Sequence, residues 1–333
     1  MDDSDLQTVP LDESFLETVA YHDREFQHYA IENGVYFAPV DEDEAEHLRN
    51  MHDIFNRMFE HRLIFPPIPQ LRRVLECGFG SASWAVEVAE RYPDCEVTGI
   101  DIFPNMAPEI IPDNLVLQVD DLNRPSTFPS NHFDLVHSRW MAGGINSDGW
   151  RNYMADIFRV LRPGGWCQMV EIYFNAQSDN GTLTDNNALR IWSREYIRSL
   201  QALKDPRAAL QLQNWMRDAG FVEVEAQVLT LPLSGWPSDP RERSIGIANR
   251  DNVHRLLTSL ALYPFTERLG MSSAEVQLLV ARARVEANNP AFKAYFPVYV
   301  CIGRKPGGGA SSRGHHHHHR SNRGVDSRKR ARR

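Results

Sequence analysis

The stretch VLECGFGSASWA combines glycines, a carboxylate and the start of a helix, which is typical of a turn that binds a ligand. Gly78 and Gly80 allow a sharp turn, and the first amide groups of the following helix would lie beside a bound ligand. A dinucleotide fingerprint requires a third glycine at position 83, where this sequence has Ser83. Glu76, two residues before Gly78, would repel a pyrophosphate. The turn therefore predicts a ligand without a pyrophosphate and disfavours a nicotinamide-dependent dehydrogenase.

Acidic residues also end the next two apolar segments of the chain. Asp101 ends CEVTGID, where a carboxylate can accept hydrogen bonds from both hydroxyls of a ribose, and we assign its neighbour Ile102 to the same site. Asp120 and Asp121 follow NLVLQV; we expect one of them to meet an adenine amino group while the other caps a helix. Acids at three strand ends suit an adenosine that carries positive charge. The pattern predicts S-adenosyl-L-methionine, which has a sulfonium and an ammonium group.

Methyl transfer from a sulfonium is an in-line displacement, so positioning lowers much of its barrier. A base is needed only when the acceptor must lose a proton, and His137 is our candidate for that role, with Glu171 as a second candidate. We predict that Ser138 lines the methionine end of the cofactor site and that Arg139 pairs with the cofactor carboxylate. Candidates for an aromatic acceptor pocket, although aromatic residues at such spacing more often form a core, are Trp140, Tyr173, Trp192, Tyr196 and Trp236.

The elements that must position these residues alternate between strands and helices. After the Val74 strand, the apolar segments CEVTGID, NLVLQVD, FDLVHSR and WCQMVEIYF predict further strands. This alternation predicts an α/β fold with a parallel sheet and helices on both faces. VEVEAQVLTLPL predicts an antiparallel strand or hairpin, and YFPVYVCIGRKP predicts a final strand. Helical periodicity predicts helices over residues 15–31, 42–61, 150–161, 186–204 and 252–288.

Bulk composition disfavours several classes of protein. The hydrophobic content of 42% supports a globular core, and no apolar run approaches the length of a membrane span. The acidic N-terminal segment lacks the apolar region of a secretory signal. The four cysteines are far apart in the sequence, which favours reduced thiols over a disulfide framework, and we expect no metal site.

The charge of the chain is distributed unevenly. The net charge is −8, but residues 307–333 carry eight basic residues and one acidic residue, and the first 50 residues hold fourteen acidic and two basic residues. So acidic a body is a poor partner for nucleic acid. The tail contains five consecutive histidines, which are either a natural tract or the remnant of a purification tag. We expect a cytoplasmic protein, with the terminal KRARR as a candidate nuclear localisation signal.

Taken together, these motifs resemble those of class I S-adenosylmethionine-dependent methyltransferases, and most closely the fungal LaeA-like group. The similarity covers residues 15–306. It is carried by the glycine turn, LRPGGW and the following segments: YFAPVDEDEAEHLRNMH, FDLVHSRWMAGGI, DNGTL, LPLSGWP and GRKP. It implies a Rossmann-like, seven-stranded, mostly parallel sheet whose last strand is antiparallel, with helices on both faces and a helical cap. The cofactor would bind at the carboxyl ends of the strands.

The resemblance also implies a domain organisation. We expect a flexible N-terminus (1–14), an N-terminal helical cap (15–70), a methyltransferase domain (71–306) and a disordered tail (307–333). The domain would carry cap insertions at about residues 175–210 and 235–295.

The chain departs from the pattern of the group at several positions. Ala82 replaces a glycine of the turn, and an alanine there costs little if its φ is negative. Glu76 stands where aspartate is commoner but keeps the carboxylate. The remaining departures concern the lid and the acceptor rather than the cofactor: Val40, His47, Arg49, Gln168 and Lys293.

Two functions are compatible with these features. The first is an enzyme that methylates a small secondary metabolite of a fungal type. The second is a nuclear regulator of secondary metabolism that works in a protein complex. Turnover with a small molecule would favour the first, and co-purification of a protein partner would favour the second.

Overall fold

The computed structural model describes residues 8–307, which form a seven-stranded sheet with helices on both faces. Two short strands, β1 (Thr18–Tyr21) and β2 (Arg24–Gln27), pair separately. The strands of the large sheet are β3 (Arg73–Cys77), β4 (Glu96–Asp101), β5 (Leu115–Val119), β6 (Phe133–Arg139), β7 (Leu161–Ile172), β8 (Val222–Pro232) and β9 (Tyr295–Arg304). Their order across the sheet is β5-β4-β3-β6-β7-β9-β8. Pairs among β3, β4, β5, β6 and β7 are parallel, whereas β9 runs antiparallel to both β7 and β8. This confirms the predicted fold class.

The helices connect these strands and cover the sheet. Within residues 8–307, two 3₁₀ turns (Glu13–Leu16, Ala208–Leu210) lie in connecting segments, and one π-helical turn (Pro264–Arg268) directly follows the helix that ends at Tyr263. The α-helices are α1 (His28–Glu32), α2 (Glu42–Met58), α3 (Ser83–Arg91), α4 (Trp150–Val160), α5 (Ala188–Leu200), α6 (Leu212–Ala219), α7 (Pro240–Tyr263) and α8 (Ser273–Asn288).

Alternating side chains of the central strands enter separate cores on the two faces of the sheet. Val74 packs with Trp84 of α3 on one face, while its neighbour Leu75 packs with Met154 of α4 on the other. A further core joins α2, α5, α7 and α8 to the outer part of β7 and β9. Both faces of the parallel strands are therefore buried, which explains their almost continuous apolar sequence.

The helix predicted over residues 15–31 is wrong, because this segment forms a hairpin. Strands β1 (Thr18–Tyr21) and β2 (Arg24–Gln27) pair antiparallel around His22 and Asp23, whose φ angles are +50° and +62°. Two consecutive residues with positive φ form the type of two-residue turn that matches strand twist. The N-terminal cap is thus a small hairpin followed by helices, and not a helical unit.

The single helical segment predicted over residues 252–288 is divided into two. α7 begins earlier, at Pro240, where Asp239 caps it by accepting a hydrogen bond from the Glu242 amide. After the π-helical turn, Gly270 adopts a φ of +69°. Ser272 then caps α8, because its side chain and that of Glu275 each accept a hydrogen bond from the backbone amide of the other residue. The capping residues, which the apolar periodicity does not report, set these boundaries.

Candidate functional site

The carboxyl ends of β3, β4, β5 and β6 open into a cavity of about 970 Å³, including the part open to solvent. This is the edge at which β4 and β6 diverge on either side of β3, the usual ligand-binding position of an open α/β sheet. Helix α2 and the segment before it close the cavity from above through Val35, Tyr36, Leu48, Met51 and Phe55. The predicted site residues that line it are Glu76, Gly78, Gly80, Asp101, Ile102, Asp120 and Asp121.

The glycine turn approaches the cavity with its backbone. Gly78 and Gly80 have φ angles of +75° and +54°, which favour glycine. A Cβ atom on Gly78 would lie 2.2 Å from the Sδ atom of Met141, so no side chain fits there without movement. Ala82 has a φ of +60° at the N-cap of α3, so the condition under which alanine would cost little, a negative φ, is not met. Alanine in this left-handed conformation costs about 1–2 kcal/mol relative to an unstrained backbone.

Asp101 connects the end of β4 to the glycine turn. Its Oδ2 atom accepts a hydrogen bond of 2.8 Å from the Gly80 amide, and its Oδ1 atom accepts one of 3.0 Å from the Phe103 amide. Burial raises the pKa of Asp101, and these backbone amides oppose the increase. The carboxylate is therefore held rigidly at the position predicted for the ribose hydroxyls, with Ile102 beside it.

Asp120 and Asp121 lie at the end of β5 and both line the cavity. The Asp120 amide donates to the Asp101 carbonyl at 3.1 Å, and the Asp120 Oδ1 atom accepts from the Asp121 amide at 2.8 Å. Asp121 in turn accepts from the Asn123 amide at 2.9 Å. Both carboxylates thus order the loop after β5, and the predicted contact of one of them with adenine stays a prediction.

Glu76 and Arg139 place an acidic and a basic side chain inside the cavity. Glu76 is 2% exposed, and its Oε2 atom accepts a hydrogen bond of 3.1 Å from the Ala85 amide in α3. Burial raises the pKa of Glu76 to about 8, although the charge of Arg139 acts against this shift. Burial lowers the pKa of Arg139 to about 10, while Glu76 and Glu87 favour its charged form. A cationic ligand group would restore the negative charge of Glu76.

The structure does not place His137 or Ser138 in the cavity. His137 is 1% exposed, stacks on Trp84 at 3.9 Å between ring centroids, and contacts Gln168 at 3.1 Å through Nδ1. Ser138 points to the opposite face of the sheet, where its hydroxyl lies 2.7 Å from that of Tyr153. Consecutive side chains of β6 point to opposite faces of the sheet, and helices cover both faces, so both residues are buried within the strand. His137 is therefore not placed to act as a base, and Ser138 does not line the methionine end of the cofactor site.

Glu171 also lies outside the cavity, but it holds the loop that follows β6. Its carboxylate accepts hydrogen bonds from the amides of Met141 and Ala142 at 2.6 and 3.2 Å. Burial raises the pKa of Glu171 to about 8. The loop begins at Trp140, whose φ of +58° is unusual for a large residue. Glu171 thus stabilises a strained loop, and the role of base does not fit its position.

Of the five aromatic candidates for an acceptor pocket, Trp140 lines the cavity. Trp192 is fully buried, and its indole N–H donates to the Leu257 carbonyl at 2.9 Å. Tyr196 stacks on Trp192, and Trp236 donates to the Ala294 carbonyl at 2.8 Å. Tyr173 belongs to a small cluster with Ile197 and Ala209. Trp192, Tyr196 and Tyr173 thus belong to cores, and Trp236, which is partly buried, also does not line the cavity.

Sequence reasoning did not single out several cavity residues that the lid and the loops contribute. Tyr36 and His52 begin and end the N-terminal segment that carries the resemblance, but the pattern alone does not show that they turn inward. Phe103, Met106 and Met141 come from irregular segments, for which periodicity gives no signal.

The donor set fits S-adenosylmethionine. Asp101 presents a fixed carboxylate for the hydroxyl groups of the ribose. Phe103 and Met106 supply an apolar surface for the adenine ring. Gly78 leaves space for the ligand that a Cβ atom would fill. Glu76 suits a cationic group and Arg139 an anionic one, which matches an amino acid moiety.

No helix in residues 8–307 is long and apolar enough to cross a membrane, and these residues contain no cluster of three or more His, Cys, Asp or Glu residues able to hold a metal.

Comparisons of the sequence and the fold with known proteins find several similar proteins. Residues 74–165 match the family described as "Methyltransferase domain". The chain is 33% identical over 293 residues to the protein-methionine methyltransferase LaeA of Emericella nidulans, covering 84% of this chain and 75% of that relative. It is 30% identical over 287 residues to the secondary metabolism regulator LAE1 of Cochliobolus heterostrophus, covering 84% and 92%. A solved phosphoethanolamine N-methyltransferase 2 of Haemonchus contortus, in complex with S-adenosyl-L-methionine, has a TM-score of 0.47 and 21% identity, covering 77% of this chain and 52% of that chain.

Proposed function

This chain belongs to the LaeA-like family of class I S-adenosylmethionine-dependent methyltransferases, and on that premise we propose that it regulates secondary metabolism by methylating a protein. The acceptor we propose is the thioether of a methionine side chain. The relative from Emericella nidulans is named a protein-methionine methyltransferase, and several other relatives are named secondary metabolism regulators.

The observation that carries this proposal is the chemistry of the lid side of the cavity. Leu48, Met51 and Phe55 are apolar, and they face the carboxyl edge of the sheet from α2. His52 also lines the cavity, but both of its ring nitrogens have partners: Nε2 lies 2.6 Å from Glu87 and Nδ1 lies 3.2 Å from Arg139. Among the described residues 8–307, an acceptor that enters from this side therefore finds no imidazole nitrogen free to act as a base.

A thioether suits such a site because it attacks without losing a proton. S-adenosylmethionine supplies, when bound, a methyl group on a sulfonium. The residues of the chain then have three tasks: Asp101 and Glu76 orient the cofactor, the lid excludes water, and apolar side chains accept an uncharged sulfur nucleophile. Positioning supplies the catalysis, and no side chain moves a proton.

Labelling with methyl-tritiated S-adenosylmethionine tests the proposal. The purified chain is incubated with the label alone and with a fungal protein extract, and the protein and low-molecular-weight fractions are counted separately. We expect label on methionine side chains of a protein, and much less label with Asp101→Ala at a cofactor concentration below saturation. Label confined to the low-molecular-weight fraction would contradict a protein acceptor.

A small secondary metabolite is the second candidate acceptor. The apolar lid and Trp140 favour it, because ligand pockets for small molecules are mostly apolar with a few polar groups. The same labelling experiment separates the two candidates, since a metabolite extract in place of the protein extract would yield a labelled small molecule.

The regulatory function also implies a protein partner and access to the nucleus. The candidate signal KRARR lies outside the residues that the structure describes. A chain that ends at residue 306, fused to a fluorescent protein, should lose nuclear accumulation, and the full chain should co-purify with a partner. Equal nuclear accumulation of both forms would contradict the role of the tail.

A further inference from the structure

Arg139 is a guanidinium inside the cavity that lacks a carboxylate partner. No Asp or Glu oxygen among residues 8–307 lies within 4.0 Å of its nitrogens, although Glu76 and Glu87 are near enough to favour its charge. Phe55 of α2 lies under the guanidinium, 4.9 Å from the ring centroid. A desolvated cation of this kind attracts an anionic ligand group.

His52 determines where this guanidinium lies. Arg139 Nη2 can only donate, so His52 Nδ1, at 3.2 Å, must accept. The other ring nitrogen, Nε2, therefore carries the proton and donates to Glu87 Oε2 at 2.6 Å. Asn56 donates to the same Glu87 oxygen at 2.7 Å.

This arrangement connects three elements around one charge. His52, Phe55 and Asn56 lie on one face of α2, because they are three and four residues apart. Glu87 belongs to α3, which begins at the glycine turn, and Arg139 ends β6. Burial, together with the charge of Arg139, lowers the pKa of His52 to about 4, so the imidazole stays neutral near pH 7.

We propose that His52 is a positioning residue, which holds Arg139 toward the carboxylate of the bound cofactor and thereby makes helix α2 contribute to recognition of the amino acid moiety. The proposal rests on the cofactor of the family and not on the identity of the methyl acceptor. It is therefore independent of the choice between a protein and a small-molecule acceptor.

Two ligands isolate this function from a general effect on folding. S-adenosylhomocysteine carries the amino acid moiety, whereas 5′-methylthioadenosine lacks it and keeps the adenosine. Calorimetry gives the dissociation constant of each ligand, and the ratio of the two constants reports recognition of the amino acid moiety alone. Thermal unfolding of each variant controls for stability.

Three variants distinguish the contribution of the Nδ1 contact of His52 from that of its Nε2 contact. His52→Phe keeps a planar ring and removes both contacts, so S-adenosylhomocysteine should bind roughly tenfold more weakly or worse, while 5′-methylthioadenosine changes by less than about threefold. His52→Asn places an oxygen near the position of Nδ1 and should restore most of the selectivity. Glu87→Gln, at a site 27% exposed, should cause a smaller selective loss.

Arg139→Met provides the reference, because it removes the guanidinium itself. It should abolish the selectivity, and His52→Phe added to it should reduce the ratio no further. Equal losses for both ligands in His52→Phe, which leave the ratio unchanged, would show a merely structural role and overturn the proposal. Additive losses in the double variant would overturn it as well. If His52→Phe does not fold, the Glu87→Gln ratio decides, and an unchanged ratio in that variant overturns the proposal.

Discussion

Cofactor binding should depend on pH through Glu76. Burial raises the pKa of this carboxyl group to about 8, so it is largely protonated in the free protein near neutral pH. A cationic ligand group favours the ionised form, so binding should release a proton. If the ligand requires the carboxylate, affinity increases by about 25-fold between pH 6 and pH 7.5. This range ends below the point at which the α-amino group of the cofactor itself loses its proton.

Calorimetric titration with S-adenosylmethionine in buffers of different ionisation enthalpy measures both the affinity and the number of protons released. We expect nearly one proton released by the wild type at pH 6.5. Glu76→Gln should bind more weakly at pH 7.5, release almost no proton and show less than about a threefold change across this range. Glu171→Gln serves as the matched control, because it removes another buried carboxyl group whose pKa is about 8 but which lies outside the cavity, so it should leave the Glu76 dependence in place. A pH-independent affinity of the wild type, or the same dependence in Glu76→Gln, would refute this reasoning.

Three other variants test the surroundings of the site. Gly78→Ala puts a Cβ atom 2.2 Å from Met141 Sδ at a φ of +75°, so cofactor affinity measured by calorimetry should fall at least about tenfold and should recover partly when Met141→Ala is added. Full affinity of Gly78→Ala alone would count against this close approach. The pKa of Glu171 is about 8 in the folded state and 4.5 in the unfolded state, so the Tm of the wild type should fall relative to that of Glu171→Gln as pH increases between these values. Parallel Tm profiles of the two proteins would contradict this direction of the pH dependence. Arg24 makes hydrogen bonds of 2.7 and 2.8 Å to Asp41, the N-cap of α2, so Arg24→Met should accelerate hydrogen exchange in the first turn of α2, and unchanged exchange would exclude this role.

The cofactor side of the site is predictable from the sequence because strand ends and charges are local features. Glu76, Asp101 and Asp120 each directly follow or end an apolar segment, and the parallel arrangement brings such ends to one edge of the sheet. The alternation of elements likewise predicts the parallel part of the sheet, whereas the antiparallel direction of the last strand β9 is implied by the resemblance to the family and not by the alternation.

The lid and the interior of β6 are not predictable in the same way. His137 and Ser138 lie on a strand that is buried on both faces, so their polarity suggests exposure that the packing removes. The hairpin around His22 and Asp23 lacks the Asn-Gly signal of such turns, and its apolar residues also satisfy helical spacing. The network of His52, Glu87 and Arg139 joins residues 35 and 87 positions apart, a distance at which sequence spacing carries no information.

Calorimetric titration of the wild type and of Asp101→Ala with S-adenosylmethionine at pH 7.5 measures whether the cavity binds the cofactor through Asp101. We expect one binding site in the wild type and an affinity at least about tenfold lower in the variant, because Asp101 is the rigid carboxylate between the glycine turn and the loop after β4. Absence of binding to the wild type, or equal binding to a folded Asp101→Ala variant, would contradict it.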